Sequence, residues 1–227
     1  IQACIFTEYV PTPENLEYQI WPRALATAER GLGRTRSYEE FHQWAVGVAD
    51  SMRQAGINAF DLRNEYGQRR ESLQPVEHLA RGAKVIYNSP YNSFYKAGGD
   101  STLTDGVCGT WNNNDQRWQG FIRDIDLVLD LGQECEVSSV ELSFLQILGP
   151  EIYLPAEVSV SPMPNADVAK VSETFTVLMD ATLADVPFVF HPYQINFDTV
   201  KKSRYFHITA RRTPRRGWLF LDEVVVR

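Results

Sequence analysis

Along residues 125–131 the side chains Ile125, Leu127, Leu129 and Leu131 alternate with Asp126, Val128 and Asp130, and Val140, Leu142 and Phe144 alternate with Glu141 and Ser143. Successive side chains of a strand point to opposite faces, so a two-residue period of this kind demands a sheet with one face in a core. Strand-like runs recur at 157–161, 174–179, 188–197, 205–210 and 218–226. Roughly seven or eight short strands, separated by turn residues and free of any helical pattern, predict a β-sandwich. The chain has no internal repeat and no low-complexity stretch.

The first third obeys a different period. Pro22 suits the first turn of a helix that Ala24, Leu25, Ala26 and Ala28 favour and that Gly31 and Gly33 end. Ser37-Tyr-Glu-Glu40 has the pattern of a capping box, and Tyr38, Phe41, Trp44, Ala45, Val48, Met52 and Ala55 follow at three- and four-residue intervals until Gly56. That apolar face is wide and requires a partner. Residues 58–83 turn charged and read as a connector, so the boundary is expected near Pro75, giving domains 1–75 and 76–227.

Composition sets the outer limits. A chain of 227 residues with 44% hydrophobic and 12% aromatic residues has room for one or two ordinary globular domains. It holds no membrane-spanning apolar run, and it begins at Ile1, which reads as a fragment or a processed product with any targeting signal upstream. A net charge of −7 argues against nucleic acid as a partner. The basic loop Arg211-Arg-Thr-Pro-Arg-Arg216 is the local exception, read as a solvated loop in preference to an anion site. Cys4, Cys108 and Cys135 lack metal-type spacing and cannot all pair with one another, so buried free thiols are expected.

Ile1-Gln-Ala-Cys-Ile-Phe-Thr-Glu-Tyr-Val10 is a short apolar run ending in Thr7-Glu8, the type buried on both faces of a parallel sheet. Together with Pro22-Arg23, Ala26, Ala28 and Glu29 it resembles the last strand and last helix of a glycoside hydrolase family 20 β-N-acetylhexosaminidase barrel. Phe6 stands where the family usually has Trp, and Gly31-Leu32 replaces the usual Trp-Ser or Trp-Thr. The C-terminal strand ends of such barrels hold the active site. The resemblance implies that Glu8 accepts hydrogen bonds from hydroxyls of the terminal sugar and that Phe6 packs near its ring. Read without it, Phe6 is a core residue and Glu8 a solvated loop acid.

The second half carries Leu103-Thr-Asp-Gly106, Trp118-Gln-Gly-Phe121, Asp126-Leu-Val-Leu-Asp-Leu-Gly132, Ile152-Tyr-Leu-Pro-Ala-Glu-Val158 and Phe220-Leu-Asp-Glu-Val224. In that order and spacing they resemble discoidin, or coagulation factor 5/8 type C, domains of the galactose-binding-like jelly roll, over about residues 84–227. The fold class expected for the whole chain is therefore mainly β: a galactose-binding-like β-sandwich preceded by a helical remnant of the end of a (β/α)8 barrel. Modules of this type commonly hold a structural Ca²⁺, and the matching ligands are Asp105 and Glu223; calcium takes carboxylate and carbonyl oxygens. The plainer alternative is a β-turn at Asp105-Gly106 and a surface acid at Glu223. No organic cofactor is implied.

A sugar-binding rim is expected on the polar, aromatic-bearing loops. Trp111, Asn113 and Arg117 in the loop 110–118, and Tyr193 in the segment 188–193, are the candidates, with Trp118 assigned to the core. Burying about 60 Å² of aromatic surface contributes about 1.5 kcal/mol, so affinities from millimolar to high micromolar are expected.

Family 20 catalysis, by the same resemblance, uses an adjacent Asp-Glu pair on an earlier barrel strand, with the substrate's acetamido group as nucleophile. The one Asp-Glu in this chain, Asp222-Glu223, lies in the last expected strand of the sandwich. The catalytic pair is expected in an N-terminal barrel missing from these residues, so this chain alone is expected to be inactive. His42, His78, His191 and His207 show no ligand spacing, and no nucleophile elbow or phosphate loop occurs. The reading is the C-terminal part of a periplasmic or secreted bacterial β-N-acetylhexosaminidase, with the sandwich binding N-acetylhexosamine or galactose-type glycans. Its alternative is a sandwich that packs on the barrel and binds nothing.

Overall fold

The computed structural model describes residues 3–5, 7, 10, 12–63, 72 and 75–227. It divides into two compact units, Ile1–Leu73 and Gln74–Arg227.

The described part of the first unit is helical: α1 (Pro13–Ile20), α2 (Arg23–Gly31) and α3 (Tyr38–Gln54). α1 is an element beyond those expected, although its signals are present in the sequence. Pro13 opens it without sacrificing a needed N–H, and Thr12 Oγ1 accepts the Asn15 N–H at 3.1 Å. α3 forms with the expected capping box: Ser37 Oγ accepts Glu40 N–H at 3.2 Å while Glu40 Oε2 accepts Ser37 N–H at 2.9 Å. Tyr18 and Phe60 meet edge to face at 5.2 Å, and the Arg23 guanidinium lies 4.4 Å over the Phe60 ring. Glu29 of the Ala-Glu motif is buried against Arg36 at 3.3 Å.

The apolar run near the start does not form the expected buried strand among the described residues: Ala3, Cys4 and Ile5 are exposed and lie outside any strand. A strand of that kind is buried by neighbouring strands, and no strand occurs among the described residues of this unit. Phe6 and Glu8 lie outside the described residues. The cysteines differ from expectation too, with only Cys108 buried, Cys135 half-buried and Cys4 exposed.

The second unit is the expected antiparallel sandwich, built from β1 (Lys84–Tyr87), β2 (Gln119–Phe121), β3 (Ile125–Ile147), β4 (Glu157–Met163), β5 (Phe175–Leu178), β6 (Phe188–Arg211) and β7 (Leu219–Val226). The expected short strands at 125–131 and 140–144 are one strand, β3, and those at 188–197 and 205–210 are one strand, β6. These two long strands pair along their whole lengths, with register shifts between Asp130 and Cys135 and between Val137 and Ser139. Bulges of this kind bend a strand, so one ribbon serves both layers. Its first half carries β1 beside β3 and β4 then β5 beside β6; its second half carries β7 then β2.

The core between the layers draws on both halves: Leu127, Leu129, Phe206 and Ile208 from one, Leu142, Phe144, Tyr193, Leu221 and Val224 from the other. A smaller cluster of Trp118, Leu145, Ile147, Ile152 and Phe220 adds Tyr95, Phe188, Phe190 and Trp218 at its margin. The loop between β1 and β2 rests on this aromatic cluster.

Candidate functional site

The loop connecting β1 to β2 builds two different arrangements. The first is closed. Glu223 on β7 is fully buried; its Oε2 accepts the Gly106 N–H at 2.8 Å, and its Oε1 lies 3.0 Å from Nε2 of the equally buried His78, without the alignment of a hydrogen bond. Asp105 Oδ1 accepts the Val107 N–H at 2.7 Å, and its charge acts on Glu223. Gly106 adopts φ +79, a conformation that side chains resist, and a Cβ there would sit 2.9 Å from Arg81 and the Val76 carbonyl. Burial, and then the Asp105 charge, push the Glu223 carboxyl up to about 9, so it is protonated at neutral pH. Burial, reinforced by Arg81, pulls His78 down to about 4, so the imidazole is neutral.

The structure thus brings Asp105 and Glu223 together, yet the donor set does not fit calcium. That ion takes six to eight oxygens, whereas here a ring nitrogen lies 3.0 Å from the Glu223 carboxyl, burial holds that carboxyl neutral, and the Arg81 side chain packs where a Gly106 Cβ would sit. The Gly106 and Thr104 carbonyls accept from Val76 N–H at 2.8 Å and Gly82 N–H at 2.7 Å. Asp222 is fully buried as well, its Oδ2 accepting the Gly109 N–H at 2.9 Å. Asp222-Glu223 is therefore a core pair that pins the loop, with no access for a substrate.

The second arrangement is open, a cleft of about 310 Å³ lined by Phe94, Tyr95, Lys96, Ala97, Asn113, Asn114, Gln116 and Trp118. One wall is the 3-10 turn Ser93–Tyr95 and the residues after it. Asn92 caps this turn, its Oδ1 accepting the Phe94 N–H at 2.8 Å while its own N–H donates to the Gly120 carbonyl at 2.8 Å. Tyr95 packs inward, edge to face with Trp218 at 5.1 Å and Phe220 at 4.8 Å. Its neighbour Phe94 faces outward and is 88% exposed.

The opposite wall is organised by Asp115, whose Oδ2 accepts Thr110 N–H at 2.6 Å and whose Oδ1 accepts Arg117 N–H at 2.9 Å. Asn112 adds an inner turn by accepting the Asn114 N–H at 3.0 Å. Trp118 forms the floor, its indole N–H donating to the Thr110 carbonyl at 2.7 Å and its ring stacked on Phe190 at 6.0 Å. A Cβ at Gly109 would lie 2.2 Å from that indole, so only glycine lets the loop close over it. Ala97 on one wall and Gln116 on the other have φ of +48 and +63. Non-glycine residues adopt this region at a cost of about 1–3 kcal/mol each, and such strain concentrates at binding sites.

Of the expected sugar contacts, Asn113 lines the cleft. Trp111 and Arg117 belong to the same loop without lining it; Trp111 is half-buried, and Arg117 Nη1 donates to the Cys108 carbonyl at 3.3 Å. Tyr193 is corrected: it is fully buried, its hydroxyl donates to the Pro155 carbonyl at 2.7 Å, and it offers no surface to a ligand. It sits on an inward position of β6 between the layers, where alternation places every second side chain. Phe94, Lys96, Asn114 and Gln116 were missed. The available signal was Asn92-Ser-Phe-Tyr95, an Asx cap before two adjacent aromatics that a short turn cannot both bury.

Among solved structures, the chain is similar to chitosan-binding module 1 of a chitosanase/glucanase from Paenibacillus sp. IK-5, at 14% identity and a TM-score of 0.46, covering 67% of this chain and 99% of that one. A fucolectin from striped bass (Morone saxatilis) serum is similar at 15% identity and a TM-score of 0.48, covering 66% and 48%. CpGH89CBM32-4 of Clostridium perfringens, solved with GlcNAc-alpha-1,4-galactose, is similar at 18% identity and a TM-score of 0.41, covering 71% and 100%. No curated protein matches the chain. Residues 1–32 match the glycosyl hydrolase family 20 catalytic domain, the stretch on which the family resemblance was read.

Proposed function

We propose that the second unit is a carbohydrate-binding module of a glycoside hydrolase, and that its sugar site is the cleft between Phe94 and Asn113. The observation that carries this reading is the 88% exposure of Phe94 beside a cleft lined by Asn113, Asn114 and Gln116. A sugar offers an apolar C–H face and a rim of hydroxyls. Phe94 supplies a ring for the face, and the Asn113, Asn114 and Gln116 amides both donate to and accept from hydroxyls. Covering about 60 Å² of the ring contributes about 1.5 kcal/mol, which with a few net hydrogen bonds gives weak binding of the kind that concentrates an enzyme on its glycan. The ordered 3-10 turn and the hydrogen-bonded loop hold both walls in place before binding, which reduces the entropic cost.

The match over residues 1–32 supports a finer reading, a β-N-acetylhexosaminidase that removes terminal N-acetylhexosamine. In that reading Phe6 and Glu8 touch the substrate, the acid-base pair lies on a barrel strand outside these residues, and the protein works on glycans in the periplasm or outside the cell. The burial of Asp222 and Glu223 supports assigning hydrolysis elsewhere. No helix among the described residues is long and apolar enough to cross a membrane.

A glycan-array screen of the purified chain tests the reading. Selective retention of N-acetylhexosamine- or galactose-terminated glycans, lost in Phe94→Ala, is expected. Silence across the array would leave the sandwich as a scaffold for the barrel. Turnover of an aryl N-acetylglucosaminide by the chain alone would contradict the assignment of catalysis to residues outside it.

A further inference from the structure

We infer that the cleft prefers an acidic sugar unit, one bearing a carboxylate or sulfate beside the ring face that stacks on Phe94; this rests on the cleft being a sugar site. Of the lining residues, Lys96 alone carries a formal charge, and no carboxylate lines the cleft. The nearest acid in the facing loop, Asp115, is turned back into that loop with its two oxygens on the Thr110 and Arg117 N–H groups. Asp100, four residues after Lys96, accepts the Tyr91 hydroxyl at 2.7 Å.

Lys96 differs from the cations of this unit that form ion pairs. Arg211 pairs with Glu157, Arg212 with Asp124, Arg215 with Asp185, Arg204 with Asp130, Lys201 with Glu173 and Lys202 with Glu136. The basic loop singled out in the sequence is thereby largely neutralised on its own surface. Lys96 pairs with no acid among the described residues, although the chain carries a net charge of −7. The Lys96 backbone is fixed while its ammonium is left over: its carbonyl accepts the Gly99 N–H at 2.8 Å.

The donor chemistry agrees. An ammonium offers three N–H donors and each neighbouring amide offers two, so an anionic oxygen entering beside Lys96 meets a surplus of donors. Hydroxyls of a neutral sugar find acceptors in the amide carbonyls and gain nothing from the ammonium's charge. The cleft's 310 Å³ lies at the lower end of ligand sites, about 300–1,000 Å³, which suits one or two sugar units.

Calorimetric titration of the full chain compares glucuronate- and galacturonate-terminated oligosaccharides with their neutral parents, and N-acetylglucosamine 6-sulfate with N-acetylglucosamine, at low and high salt. Because Lys96 is exposed, the acidic forms are expected to bind about fivefold tighter at low salt, with the advantage shrinking as salt screens it. The uronate and sulfate arms tell which anion is preferred. Lys96→Met is expected to abolish the difference between acid and neutral, and Lys96→Arg to retain it. Equal binding of acidic and neutral sugars, both lost in Phe94→Ala, would overturn the acidic preference and leave the sugar cleft standing. Absence of binding by every sugar, or binding indifferent to Phe94→Ala, would overturn both.

Discussion

The β1–β2 loop of the sandwich carries two polar clusters that a sequence reading treats alike, and the structure sets them apart. Around Glu223 the polar groups face one another: carboxyl against carboxyl, ring nitrogen against carboxyl, backbone N–H groups against both. Around Asn113 the backbone is satisfied from behind by Asp115, while the side-chain amides and the Phe94 ring face water. The first arrangement pins the loop to β7, and the second presents what the pinned loop holds. Acidic residues near a turn are thus insufficient evidence for a site; what matters is whether they are buried in the core or face an open cleft.

The contrast can be broken in several ways. Gly109→Ala should act on both clusters at once, since its Cβ would lie 2.2 Å from the Trp118 indole beneath the loop. Overpacking of this sort costs about 3 kcal/mol, read as a lower urea midpoint; a loss below about 1 kcal/mol would show that the loop is not clamped as described.

The closed cluster should reveal itself in pH dependence. Glu223 has a pKa raised from its ordinary 4.5 to about 9, so its contribution is fully present below about 4.5 and is lost as pH rises through about 9. The slope reaches at most about 1.4 kcal/mol per pH unit, and Glu223→Gln should flatten it. His78 acts in the opposite sense: lowered from 6.5 to about 4, it contributes stability above about 6.5 that is lost as pH falls toward 4. A Glu223→Gln protein with an unchanged alkaline limb would refute the buried neutral acid.

Smaller effects follow at the open cluster. Asn113→Ala should weaken glycan binding about fivefold, the worth of a net hydrogen bond of about 1 kcal/mol, with no change in melting temperature. Smallest of all, added Ca²⁺ should leave the melting temperature where it is. A saturable rise on calcium addition would mean that the His78–Glu223 arrangement rearranges to admit the ion, and the distinction between the two clusters would then fail.

Much of the fold was legible because burial imposes a period. The alternation at 125–131 and 140–144 marks strands that exist, and the Ser37 capping box marks the helix that follows it. The continuity of β3 and β6 was hidden because Gly132-Gln-Glu134 and Asp198-Thr-Val-Lys-Lys202 read as polar turns. They are instead largely exposed stretches where the ribbon bends, with Cys135 still opposite Ser203 and Glu136 opposite Lys202. β1 and β2 span only four and three residues, too short for a period to declare itself. At the site, Asn113 was legible because a run of polar residues between tryptophans belongs at a surface. The choice between aromatics was not: Tyr193 and Phe94 both sit among polar neighbours in sequence, and only the packing of β6 against β3 and of Tyr95 on Trp218 buries one and exposes the other. The mutual engagement of Asp105, Glu223 and His78 joins residues more than a hundred positions apart and has no local signature.

The most direct test of the sugar-cleft account is calorimetric titration of an N-acetylhexosamine-terminated oligosaccharide into the native chain, Phe94→Ala and Trp111→Ala in parallel. The account predicts saturable binding with a dissociation constant between about 10 µM and a few millimolar, weakened at least tenfold in Phe94→Ala and retained in Trp111→Ala. Binding lost in Trp111→Ala but indifferent to Phe94→Ala would move the site away from the cleft and contradict the account.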